Sequence, residues 1–135
     1  MHEKVLGARL PSVMALAYLG DAEYSLFVRR MLIDRGYEKA AQLNEHSLDY
    51  VTAPKQAALM RRLEPLLTED ERDVFRRAAN SPHLKRPRGA SVSDYRYATG
   101  FEAVVGMLSY LGDTDRLNML LEYAKQEDKE NDQKN

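Results

Sequence analysis

The chain has 135 residues, of which 44% are apolar and 30% charged, with 20 basic against 21 acidic residues for a formal net charge of −1, seven Gly, five Pro and no Cys. That length supports one domain with a sizeable core, and the composition excludes a disordered, fibrous or disulfide-framed protein. There is no thiolate for a metal site, and the longest apolar stretch, Val13 to Ile33, is broken by Asp21, Glu23, Arg29 and Arg30, which excludes a membrane span. The N-terminal MHEKVLGARLPS lacks the apolar core of a signal peptide, so the expected location is cytoplasmic.

Apolar residues recur at spacings of three and four with no sustained period of two, which predicts an all-α fold. Ser12 is placed to cap a first helix with Leu16, Leu19, Tyr24, Phe27 and Met31 on one stripe and a stop near Gly36. Two short helices are expected next, around Glu38 to Leu43 and Glu45 to Val51. Thr52 and Pro54 open a helix over KQAALMRRLEPLL that Pro65 ends or kinks. Thr68 and Glu71 form a capping box for a helix through Val74, Phe75 and Ala78. Asn80 to Ser91, with two Pro and a Gly, reads as a long loop, after which Ser93 caps a helix running to Gly112. Asp113 or Asp115 opens a last helix ending near Ala124. Residues 125–135, KQEDKENDQKN, contain no apolar residue and read as a disordered polar tail to a domain spanning 1–124.

Two of these helices carry a carboxylate among small residues. One turn either side of Asp21 lie Ala17 and Ser25, and the same positions about Glu102 are Ala98 and Gly106. Small side chains let another backbone, an ion or a phosphate come close, and an ionised carboxylate on an apolar helix needs a partner. Two readings follow from the residues: a divalent metal shared by Asp21 and Glu102, or structural ion pairs of Asp21 with Arg61 or Arg62 and of Glu102 with Lys55. His2, His46 and His83 have no metal-ligand spacing, and no nucleophile motif is present.

Charge is concentrated between Arg72 and Tyr97, where seven basic residues face two acidic ones, a local charge of +5. Lys85, Arg86 and Arg88 lie on the Pro-containing loop, and Tyr95 and Tyr97 flank Arg96 where the next helix begins. Such a segment suits phosphate contacts, with Tyr and Arg planes for stacking, or is a solvated basic loop. The first helix has more apolar circumference than one internal face requires, which marks Met14 and Tyr18 as candidates for a two-fold contact between copies.

LAYLGDAEYSLFVRR and YRYATGFEAVVGML resemble the two signature segments of the ribonuclease III catalytic domain, and the likeness covers roughly Leu10 to Tyr123. With no room for a double-stranded RNA-binding domain after Ala124, the chain resembles the Mini-III subgroup, which consists of the catalytic domain alone. Asp21 matches the family's signature aspartate and Glu102 its catalytic glutamate. The larger enzymes carry further acids where this chain has Ala17 and Thr99, an acid usual in the subgroup is Ser25 here, the lysine of the KQA segment falls at Pro54 beside Lys55, and a Gly-Arg pair reads Ala78 and Ala79.

The resemblance implies an all-α, ribonuclease III-type helical endonuclease domain that acts as a magnesium-dependent homodimer. It implies cleavage of double-stranded RNA to 5′-phosphate and 3′-hydroxyl ends, with maturation of precursor 23S ribosomal RNA as the task. It also extends the expected RNA contacts from Lys85, Arg86, Arg88, Tyr95 and Arg96 to Lys55, Gln56, Arg77 and Asn80. The rival reading is a domain of the same fold that holds structured RNA in a ribosomal assembly without cutting it. That reading needs the loop but not the acids.

Overall fold

The structure, a computed structural model, describes residues 9–82 and 90–134, with side chains as far as residue 126. Every element among them is helical: α1 Val13–Asp34, α2 Ala40–Val51, α3 Ala53–Leu63 with a 3-10 turn over Glu64–Leu66, α4 Glu69–Ala79, α5 Val92–Tyr110 and α6 Thr114–Lys134. The all-α expectation is met.

Helix boundaries follow local chemistry. The Ser12 hydroxyl accepts from the Ala15 amide at 3.1 Å, and Thr68 and Glu71 form the reciprocal capping box at the start of α4. Pro54 sits in the first turn of α3, and Pro65 falls in the 3-10 turn that follows Leu63. Gly36 and Gly112 adopt φ of 101° and 70° just beyond α1 and α5, a conformation costly for any residue with a Cβ.

Three boundaries differ from expectation. The segment after Gly36 is one helix rather than two, because Asn44 is a poor helix former but no breaker; the Ser47 hydroxyl donates to its carbonyl at 2.7 Å and the helix runs on. The cap of α5 is Ser91, which accepts from the Asp94 amide at 3.0 Å, while Ser93 lies inside the first turn. Helix α6 does not stop near Ala124 but continues to Lys134. KQEDKEN holds good helix formers and neither Gly nor Pro, and Lys125 pairs with Glu122 one turn back at 3.2 Å. Ala124 is the last buried residue among those described.

The core is built around α5. From Ala98 to Leu108 every residue of this helix is buried except Glu102, the pattern of a helix enclosed on all sides. Helices α1, α3, α4 and α6 all pack on it, with α1 making the most extensive contact, and α2 rests on α1. Tyr24 of α1 and Phe101 of α5 meet edge to face at 4.9 Å in the middle of that contact. At the far side of the core, the fully buried Glu71 is held by Arg116, at 2.7 and 2.8 Å, and Arg116 also donates to the Leu66 carbonyl. This pair ties α6 to the start of α4. No helix of the described residues is long and apolar enough to cross a membrane.

Candidate active site at the α1–α5 crossing

Helices α1 and α5 cross backbone to backbone. A Cβ on Gly20 would collide with the Glu102 carbonyl oxygen and lie 2.9 Å from the Gly106 amide nitrogen. One on Gly106 would collide with the Leu16 carbonyl oxygen. The residue after Gly20 is Asp21, so the approach of the two glycines brings the Asp21 carboxyl close enough to that of Glu102 to shift its titration.

Burial and the neighbouring acid set the chemistry of the pair. Glu102 is half-buried beneath the more exposed Asp21, and desolvation, followed by the hydrogen bond and charge of Asp21, pushes its pKa up to about 8. Near neutrality a proton therefore rests on Glu102. Neither acid has a basic partner among the described residues. Arg61 is engaged elsewhere, 2.9 Å from Asp94 and stacked 4.7 Å over the Tyr97 ring, and Arg62 donates to the Tyr123 carbonyl at 3.3 Å. The structural ion pairs that the sequence allowed are thereby set aside.

Two neighbouring carboxyls with no basic side chain to pair them form a hard-oxygen donor set, which fits a divalent ion such as magnesium. The donor set is limited to the two. Among the described residues no cluster of three or more Asp, Glu, His or Cys is present, Ala17 is buried, and the Thr99 hydroxyl donates to the Tyr95 carbonyl at 2.9 Å.

The raised pKa of Glu102 makes stability pH-dependent. The folded state holds a proton that the unfolded state has lost above about pH 4.5, so the stabilisation is complete at lower pH and falls as pH rises to about 8. In chelator, wild type should lose stability relative to Glu102→Gln at up to about 1.4 kcal/mol per pH unit across that window. Melting curves of both proteins from pH 5 to 9 measure it, and parallel curves would show that Glu102 is not desolvated.

Comparison with known proteins places this pair in a family context. The model of the Ribonuclease III domain family matches residues 14–113, which include both carboxylates and the crossing glycines. The chain belongs to the ribonuclease III family. A Mini-ribonuclease 3 from Symbiobacterium thermophilum is 46% identical, covering 82% of this chain and 85% of that protein. One from Streptococcus pneumoniae is 36% identical over 90% of this chain and 97% of its own length. A crystal structure of a protein from Fusobacterium nucleatum superimposes with a TM-score of 0.81 at 27% identity, covering 89% of this chain and 96% of that one.

As a ribonuclease III-family member the chain is an endoribonuclease of the Mini-ribonuclease 3 kind, and the remaining sequence-derived positions can be placed on its surface. Lys55 and Arg96 are exposed, Tyr95 is half-buried, and Asn80 is exposed as the last-turn cap of α4. Arg77 is exposed beside Asp73 at 3.5 Å. Gln56 is not at the surface. It is 4% exposed and its amide donates to the Val51 carbonyl at 2.9 Å, so it fastens the α2–α3 junction and has too little surface to touch RNA. Lys85, Arg86 and Arg88 lie outside the described residues.

Met14 and Tyr18 project from α1, and Tyr18 is 85% exposed. Sequence reasoning missed the role of Arg61, which binds Asp94, Ser93 and the Tyr97 ring and so fixes the first turns of α5 against α3. Its signal was the concentration of polar and aromatic residues in SVSDYRY.

Proposed function

We propose that this endoribonuclease cuts double-stranded RNA with magnesium, working as a cytoplasmic homodimer that matures precursor 23S ribosomal RNA. The observation that carries the reading is the Asp21–Glu102 pair, two neighbouring carboxyls at a partly open helix crossing with no basic partner among the described residues. The domain's Mini-ribonuclease 3 relatives support the substrate class by their name.

Magnesium, when bound, supplies positive charge against the phosphate and a water of lowered pKa. Asp21 and Glu102 would hold it through their carboxylate oxygens, with Glu102 in its deprotonated form. The exposed Lys55 and Arg96, with Lys85, Arg86 and Arg88, contact backbone phosphates and orient the duplex over the pair. Cleavage leaves a 5′-phosphate and a 3′-hydroxyl. Since one such pair cuts one strand, a second copy serves the other. Incubation of the purified chain with a perfect RNA duplex tests the reading: cleavage with magnesium, none in chelator, and little on the separated strands. Duplex binding without cutting under every divalent ion would favour an RNA-holding module instead.

The two-fold contact is assigned to the apolar face of α1. Leu26 and Ile33 are exposed on this helix as well as Met14 and Tyr18, a stripe that one internal packing face leaves uncovered. Tyr18→Glu puts a charge in that contact at no cost to the isolated fold, because the side chain is already in water. Sedimentation should then show monomer where wild type is dimer. An unaltered dimer would move the interface elsewhere.

A further inference from the structure

A groove separate from the carboxylate pair opens between the end of α4 and the start of α5. Its volume is about 500 Å³, the size of a small-ligand site. The floor is apolar, formed by Phe75 and Ala79 of α4 and by Val92 and Tyr97 of α5, with the two aromatic rings 5.3 Å apart edge to face. Arg76 and Arg96, one from each helix, line its sides. Both are exposed, and no ion pair or hydrogen bond to the described residues occupies either guanidinium. Asn80 and Ser93 add uncharged polar groups to the same lining.

An apolar, partly aromatic floor beneath two exposed guanidinium groups matches a flat neutral ring joined to an anionic group. A bare phosphate would leave the floor unused, and an apolar ligand would leave the arginines unused. Geometry then separates a paired from an unpaired base. Glu102 lies six residues beyond Arg96, roughly 9 Å along α5 and on another face of the helix. A duplex seated on the carboxyls keeps its base faces inside the stack, so only a strand that has left the helix can present one here.

We propose that this groove binds one unpaired nucleotide of the RNA, its base against the exposed Val92 and the half-buried Tyr97 and its phosphate between Arg76 and Arg96. The proposal rests on the reading of the chain as an enzyme acting on RNA, and it adds a preference for substrates with a single-stranded flank or bulge.

The test uses the full chain in chelator, titrated against a short single-stranded RNA containing 2-aminopurine, with base fluorescence as the readout. Wild type should give a saturable change. Val92→Glu, at an exposed first-turn position of α5 where an acid favours the helix, should weaken binding by roughly fivefold or more, and so should Arg76→Ala. Cleavage of a saturating blunt duplex by Val92→Glu in magnesium should stay within about twofold of wild type, since this residue lies ten residues, roughly 15 Å along α5, from Glu102. Absence of saturable binding to wild type, or equal affinity in wild type and Val92→Glu, would overturn the proposal. Failure of wild type to cut the blunt duplex would instead count against the ribonuclease mechanism, and the fluorescence titration would still decide the groove.

Discussion

Asp21→Asn and Glu102→Gln are each expected to lower RNA cleavage by roughly a thousandfold or more while leaving a folded protein, about 4 kcal/mol of lost transition-state stabilisation. Both changes keep shape and remove charge. With only two carboxyls in the described donor set, each supplies half of the charge available to a cation, and no neighbouring acid can substitute. The two variants should differ in stability. Glu102→Gln removes a half-buried ionisable group beside another acid and should melt higher than wild type in chelator at pH 8 and above, whereas Asp21 is exposed and its replacement relieves Glu102 only of a neighbouring charge. Single-turnover cleavage with saturating enzyme, read beside melting curves, separates lost chemistry from lost fold. Residual activity within tenfold of wild type in either variant would remove that residue from the reaction.

What the sequence revealed depended on whether a signal was local. Ser12, the Thr68–Glu71 box, Pro54 and the glycines after α1 and α5 act within one turn of their own positions, and each boundary they mark is where the structure has it. Ser91 and Ser93 compete for one cap within three residues, and spacing alone cannot choose between them. Geometry does, because Ser93 is turned to Arg61, which lies far away in sequence. Helix α6 outruns the expected stop near Ala124 for a related reason: absence of apolar residues removes a packing face but not helix propensity, and the buried part of α6 nucleates a helix that the following residues extend.

The site was legible in part because Asp21 and Glu102 stand among small residues, but their proximity is a property of the crossing. So is the fate of the candidate basic partners. Arg61 and Arg62 looked free to meet Asp21 in sequence, yet both are committed to the α3–α5 and α3–α6 contacts. The groove between α4 and α5 was invisible as such, since Arg76 and Val92 acquire meaning only when the ends of two helices come together.

The glycines at the crossing give the second large effect. In an exposed helix, Gly→Ala stabilises by about 1 kcal/mol through reduced backbone freedom. At Gly20 and Gly106 the sign should reverse, because the added methyl meets a carbonyl of the facing helix, a backbone atom that no rotamer change can move. The helices must separate along their longest contact, loosening the packing of Tyr24 on Phe101 and of Leu16 beside Gly106. Overpacking of this kind costs roughly 3 kcal/mol or more, so each variant should melt about 10 °C or more below wild type. Activity should fall further than stability. Displacement of α5 moves Glu102 away from Asp21, and a shift of about 1 Å in reacting groups costs on the order of a hundredfold in rate. Cleavage measured well below the lowered melting temperature isolates that loss, and the same displacement should lower the Glu102 pKa toward its ordinary value as Asp21 recedes and water enters. A rise in melting temperature in Gly20→Ala, as helix propensity alone would give, would mean that the two backbones do not touch there and that something other than this crossing holds the carboxyls together.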